Sequence, residues 1–209
     1  HITEELRKTQ KLAMSLPNMG FVFLDVVGMS DRTKSWSPEL VCRYLTYTFT
    51  VIDTACANFS LNKVRIFGDT YFAVGGLGES ATEEHCVFRC ACFGSVVVQL
   101  LSRKFAHFPD RVDLIESTFS AFVQKNGPIF PDVSDNPEDM GNIVMPPMRI
   151  GMHYGIGTFC IIETGRTPAY EVFGPGVSMA SRMQATSLGN RIHMTGVMKE
   201  ILERLDKDR

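Results

Sequence analysis

Two aspartates stand where the chain changes direction, and carboxylates so placed hold hard cations. Asp25 closes the apolar run Phe21 to Val26 and is followed by Val26-Val27-Gly28-Met29-Ser30. Asp69 follows Gly68, between the short β-rich runs Lys63 to Phe67 and Tyr71 to Val74. Paired carboxylates with little lysine nearby suit Mg²⁺, which prefers oxygen ligands and commonly shares them with substrate phosphates. The turn Gly28 to Ser30 offers backbone N–H groups just ahead of a helix, an arrangement that cradles phosphate. Either aspartate alone serves as readily as a turn residue. Together they point to metal-assisted phosphate chemistry.

Other reactive side chains read more simply. The six cysteines, Cys42, Cys56, Cys86, Cys90, Cys92 and Cys160, fall inside apolar periodic segments. Cys86 and Cys90 could share a helix face, but no CxxC pair exists, so they read as buried small hydrophobes in a reducing compartment. His153, flanked by glycines, reads as a packed, hydrogen-bonded residue and not a ligand. Trp36 could pack under a loop or on a partner, and the methionines fill core gaps. No GxxxxGK[ST] stretch is present, and no serine–histidine–aspartate set suggests a side-chain nucleophile.

The elements that must position these groups follow from hydrophobic period. Residues 3 to 16 read as a short helix stopped by Pro17, and Phe21 to Val26 as a buried strand. Ser37-Pro38-Glu39 opens a helix whose apolar residues run from Leu40 through Ile52 to Cys56. The two runs around Gly68-Asp69 form a hairpin. Thr82 begins a second helix through about Phe105. Met148 to His153 and Thr158 to Ile162 read as strands separated by glycine, Val177 to Thr186 as helix, Arg191 to Met194 as strand, and Val197 to Leu205 as a final amphipathic helix. The early order of strand, helix, strand, strand, helix, strand predicts an α+β fold with a ferredoxin-like βαββαβ core. In that core the first strand lies beside the hairpin, so Asp25 and Asp69 can converge. Residues 1–19 read as a linker helix and 20–209 as one folded domain. Prolines from Pro109 to Pro147 and the acids Asp132, Asp135, Glu138 and Asp139 mark an insertion of about 108–147, before the fourth core strand, that reads as a solvated loop.

Bulk properties narrow the partners. The chain has 209 residues, of which 44% are hydrophobic and 21% charged, the balance of an ordinary globular domain with room for a core. A formal net charge of −2 supplies no basic footprint, so nucleic acid is not an expected partner. The apolar runs, such as Ser95 to Leu101, fall short of the roughly 20 residues of a membrane helix.

Four ordered motifs carry a resemblance. Phe23-Leu24-Asp25-Val26-Val27-Gly28-Met29-Ser30 resembles the first metal motif of the class III adenylyl and guanylyl cyclases, and Val64 to Leu77, with Gly68-Asp69 at its centre, resembles their second. Arg149-Ile150-Gly151-Met152-His153-Tyr154-Gly155 is similar to the strand and glycine turn that follow. Tyr170 to Gly174, then Val177 to Met183, is similar to the segment carrying base-reading and transition-state residues. The resemblance runs from about Gly20 to Gly196. It implies that Asp25 and Asp69, with the Val26 carbonyl, bind two Mg²⁺ or Mn²⁺ ions. It further implies that Gly28, Met29 and Ser30 hold phosphate, Arg65 and Glu171 read the base, Ser178 positions the ribose, and Arg182 stabilises the transition state. In this family the aspartates come from one subunit and the other four positions from its partner, so the resemblance implies a homodimer or a heterodimer with another cyclase domain.

The implied reaction is attack of the ribose 3′-hydroxyl on the α-phosphorus with loss of pyrophosphate, helped by two metals and a fixed arginine. Arg65 is donor-only and Glu171 acceptor-only when ionised, which keeps the polarity that reads adenine N1 and N6, so ATP is favoured. An arginine can also reach guanine O6 while a glutamate takes the N1 and N2 donors, so a guanylyl cyclase stays open. Ser178 stands where the family has asparagine, Met29 where it has phenylalanine, and the chain stops at Arg209, before the hairpin that supplies a triphosphate-binding lysine. A lost positioning contact costs on the order of 100-fold, so a catalytically weak regulatory half of a heterodimer is the other reading. The resemblance also implies a cytoplasmic domain, with any membrane anchor elsewhere in a larger protein.

Overall fold

The computed structural model describes residues 13–77, 81–102, 147–164 and 167–207. The elements run β1 (Ala13–Val26), α1 (Met29–Ser35), α2 (Pro38–Asn58), β2 (Asn62–Phe67), β3 (Thr70–Gly75), α3 (Glu83–Ser102), β4 (Met148–Thr164), β5 (Thr167–Phe173), α4 (Pro175–Ala185), β6 (Arg191–Met194) and α5 (Gly196–Lys207). The strands form one six-stranded sheet in the order β2-β3-β1-β4-β5, with β6 pairing β4 in parallel and every other pair antiparallel. The β2-β3-β1-β4 portion is the expected ferredoxin-like core. The expected insertion lies on residues outside those described, as do residues 3–12 of the expected linker helix.

Local chemistry accounts for the helices. Ser37 caps α2 by accepting from the Leu40 N–H at 3.2 Å, and Pro38 occupies the first turn, where its missing N–H costs nothing. Thr82 does the same for α3, accepting from the His85 N–H at 3.3 Å, with Glu83 and Glu84 in the favourable first turn. Helix α3 is long and apolar enough to match a membrane span by length and composition alone. Here its Val87, Cys90, Phe93, Val96 and Val97 are fully buried in the core.

Alternation along β1 divides the interior in two. Val22, Leu24 and Val26 point to α2, α3 and α5, joining Tyr44, Ile52, Phe93, Ile150 and Met198. Met19, Phe21 and Phe23 point the other way and meet Phe72, Val74, Phe159, Ile161, Val172 and Ala180 of α4. Asp25 continues this second series, so it ends on the face that α4 partly covers. Helix α4 sits very close to the sheet: a Cβ placed on Gly151 would lie 1.9 Å from the Gln184 nitrogen and 2.4 Å from the Ala180 oxygen.

Three expectations need correction. Residues 13–16 are strand and not helix: they pair with Gly157–Cys160, and Met14 and Leu16 pack on the second cluster. Pro17 does not stop a helix but sits at the register shift between Leu16 and Met19, a place where a strand tolerates proline. The two strands expected at 148–153 and 158–162 are one 17-residue strand, and β5, which was not expected, pairs with its far half.

His153, on β4, is half-buried, contacts Thr195 Oγ1 through Nδ1 at 3.0 Å and stacks near Phe21. It is a packed residue, as expected. Burial lowers its pKa, so the folded state resists a proton that the unfolded chain accepts. Its contribution to stability is therefore complete above the ordinary imidazole value and is lost as pH falls below it. Urea midpoints taken at about pH 7.5 and about pH 5.5 are expected to differ less in His153→Gln than in the parent protein.

Candidate active site

Asp69 reaches Asp25 through a tight turn. Phe67 pairs with Thr70, leaving Gly68-Asp69 as a two-residue loop. Gly68 has φ 61°, which suits the glycine-first turn that matches strand twist. Thr70 in turn pairs with Asp25 across β3 and β1. Asp69 thus lies one residue from the register partner of Asp25. Its carboxyl is pushed up from the ordinary value by burial first and then by the charge of Asp25; a backbone hydrogen bond and Arg149 oppose this. The two acids are within electrostatic reach of one another.

Asp25 is 7% exposed and fully engaged. Thr70 Oγ1 donates to Oδ1 at 3.1 Å, while Arg149 Nε donates to Oδ2 at 3.2 Å and a terminal guanidinium nitrogen of Arg149 also pairs with that oxygen. Among the described residues no group of three or more histidine, cysteine or acidic side chains is placed to hold a metal. A pair of carboxylates still fits Mg²⁺, which characteristically takes one or two from the protein and completes its octahedron with phosphate oxygens and water.

The turn after Asp25 is well built. Gly28 adopts φ 73° and ψ 23° as it leads into α1. Arg32 Nη1 donates to the Val27 carbonyl at 3.0 Å and to the Gly28 carbonyl at 3.1 Å, bracing the turn. Gly28 and Ser30 are exposed, whereas Met29 is buried at 4% and anchors the turn in the first cluster. Any contact of Met29 with a ligand is therefore through its backbone. Val26 is likewise buried, leaving its carbonyl as the group to consider.

The other expected site residues form two further groups. Arg65 on β2 and Glu171 on β5 make an ion pair, Arg65 about half exposed and Glu171 largely covered. Their strands lie at opposite ends of the sheet order, so the sheet curls until its outer strands touch. Ser178 and Arg182 are both exposed, one turn apart on α4, while Ala180 and Gln184 face the sheet. Among the described residues no hydrogen bond or ion pair joins these two groups to each other or to the aspartates. Sequence reasoning missed Thr70, Arg32 and Arg149 as participants. Arg149 carried a signal, an opposite charge at the start of the strand flanking Asp25, but it becomes legible only once register is known.

A family model described as the adenylate and guanylate cyclase catalytic domain matches residues 12–208. The chain is 29% identical over 184 residues to the speract receptor of Strongylocentrotus purpuratus, covering 88% of this chain and 13% of that protein. It is 24% identical over 174 residues to the germination-specific adenylate cyclase of Dictyostelium discoideum, covering 83% and 16%. With an adenylate cyclase of Mycobacterium bovis it shares 23% over 209 residues, covering 99% and 38%. The chain thus spans well under half the length of these curated relatives. Among solved structures it resembles the adenylyl cyclase CyaB from P. aeruginosa with a TM-score of 0.69 at 12% identity, over 92% of this chain and 83% of that one. It also resembles the catalytic core of a rhodopsin-guanylyl cyclase with converted specificity in complex with ATPalphaS, with a TM-score of 0.67 at 18% identity, over 91% and 84%. A family match that runs from the first strand to the last helix of this sheet permits one assignment: the chain belongs to the adenylate and guanylate cyclase catalytic domain family.

Proposed function

We propose that this domain forms a 3′,5′-cyclic purine nucleotide and pyrophosphate from a nucleoside triphosphate, with ATP preferred to GTP, at a site completed by a second cyclase domain. The observation that carries the reading is the convergence of Asp25 and Asp69 at one corner of the sheet, each within the field of the other. Two Mg²⁺ or Mn²⁺ ions, when bound, supply charge neutralisation at the 3′-hydroxyl and along the triphosphate. Asp25, Asp69 and the Val26 carbonyl would hold them. The Gly28–Ser30 amides orient phosphate oxygens, Ser178 orients the ribose, and Arg182 neutralises charge growing on the α-phosphoryl group.

The dimeric arrangement is supported by what the surface leaves uncovered. Ile156, Ile162, Tyr170 and Phe173 on the β4–β5 hairpin, with Ile66 and Phe67 of β2, are all more than a third exposed. The apolar side chains gathered on the hairpin support an interface there. Ser178 and Arg182 are exposed, and among the described residues no hydrogen bond or ion pair joins them to either aspartate, as expected of groups that serve a neighbouring subunit's triphosphate.

Base preference rests on the Arg65–Glu171 pair. Each side chain holds the other in place, presenting one donor and one acceptor in the order that adenine matches. With Mn²⁺ and either nucleotide, purified protein is expected to make cyclic AMP faster than cyclic GMP. Arg65→Glu combined with Glu171→Cys reverses the polarity and is expected to shift the ATP-to-GTP ratio of kcat/KM by about 10- to 100-fold towards GTP. Chromatography of the products decides it, and an unchanged ratio removes the pair from base reading. Ser178, with a single hydroxyl where the family has an amide, favours one second reading, a regulatory half. No product from either nucleotide alone, with turnover recovered on adding another cyclase domain, would select it.

A further inference from the structure

The buried acid of the pair already has a cation. Asp25, on β1, has Thr70 as its register partner on β3 and Arg149 as its partner on β4, and both side chains bond to its carboxylate. The row continues to Arg191 on β6, so a second arginine lies beyond the first. This flank is basic, whereas Asp69 lies on the other side of Asp25. The two members of the ion pair are unequally covered: the Asp25 side chain is 10% exposed and that of Arg149 35%. Asp25 is held in place by the strands around it, and Arg149 has an opening to solvent.

We propose that Arg149 is the resident counter-ion of this site, neutralising and orienting Asp25 before a divalent cation arrives and giving it up when one binds. Loading a cation and releasing the guanidinium are then one exchange. The inference rests on the reading of Asp25 and Asp69 as the metal pair. Its physical basis is the cost of a buried carboxylate beside a second one: without a nearby positive charge the pair is strongly destabilising. A fixed guanidinium removes that cost but competes for the same oxygen and repels any incoming cation. Arg149 is thus a positioning residue, and it sets how weakly the protein holds metal in the absence of nucleotide.

The test uses Mn²⁺ alone, titrated into nucleotide-free protein while free Mn²⁺ is followed by electron paramagnetic resonance, with thermal midpoints measured in parallel. Arg149→Gln is expected to bind Mn²⁺ about tenfold or more tightly than the parent protein. Its midpoint without metal is expected to fall, and Mn²⁺ should raise that midpoint by more than it raises the parent's. Arg149→Lys keeps the charge but loses the planar fork, so its affinity should lie between the two; it serves alone should the glutamine variant not fold. Mn²⁺ binding unchanged or weakened in the variants, while the parent's binding is lost in Asp69→Ala, overturns the exchange and leaves the metal pair standing. If the parent shows no Mn²⁺ binding that depends on Asp69, the metal-pair reading fails and the exchange fails with it.

Discussion

Asp69→Ala is expected to remove cyclic-nucleotide formation, lowering kcat by about a thousandfold or more, while leaving the fold in place. Metal assistance is worth several kcal/mol of transition-state stabilisation, which corresponds to about that factor. The variant is a cleaner probe than a change at Asp25. Asp25 is buried and bonded to Thr70 and Arg149, so its removal leaves a partly covered guanidinium without its partner and confounds stability with chemistry. Asp69 sits in a turn and is only partly covered; its carboxyl is pushed up by burial first and then by the neighbouring acid, so alanine removes a desolvation cost and a repulsion. The expected signature is therefore an unchanged or slightly higher thermal midpoint together with lost product. Arg182→Ala, on the exposed face of α4, should lower kcat by about 10²- to 10³-fold without changing Mn²⁺ affinity. Measurable turnover at near-parent rates in Asp69→Ala would remove the acid pair from the chemistry altogether.

The second large effect is structural. Gly151→Val is expected to unfold the domain or cost at least about 3 kcal/mol, a large part of the stability of an ordinary domain. The added Cβ would meet the Gln184 nitrogen at 1.9 Å and the Ala180 oxygen at 2.4 Å. Those are backbone atoms of α4, so no rotamer change relieves the contact; the helix must lift off the sheet, taking Ala180 away from Phe21 and Val172. Gly196→Ala is the matched control, because a Cβ there has nothing within 4 Å. Denaturant unfolding of the two variants should separate them clearly, with the control within about 0.5 kcal/mol of the parent. A tolerated valine at 151 would contradict the packing of α4 described above.

The same glycines show why parts of the fold were hard to read in the sequence. Gly155 and Gly157 resembled a turn between two strands, yet β4 runs straight through them. Gly157 is small because Met19 and Phe21 fill its space, with a Cβ falling 2.6 Å from the Met19 sulfur and 2.7 Å from the Phe21 ring. Close approach across strands and a reversal of direction both select glycine, and only tertiary structure tells them apart. Ala13, Met14 and Leu16 are good helix formers, but pairing with Gly157–Cys160 outweighs propensity. β5 was hidden by Pro168, which stands second in the strand and reads as a break. The βαββαβ order, the capped start of α2 and the hairpin around Asp69 were legible because each depends on local chemistry. The two aspartates were legible for the same reason, whereas Arg149 and Thr70 enter the site through register alone.

Strand β4 has a mechanical consequence. It begins beside Asp25, where Arg149 sits, and continues without a break to Thr164 in the hairpin that carries the uncovered Ile156 and Ile162. Seventeen residues of strand at about 3.3 Å each span roughly 55 Å. Its pairing with β1 is interrupted once, at the register shift opposite Gly155 and Gly157, so one continuous strand with a single irregular step joins the two ends. A subunit docked against Ile156 and Ile162 would bear on the same strand that seats the guanidinium. Spin labels placed at the two ends, measured with and without a docked neighbour, should move together.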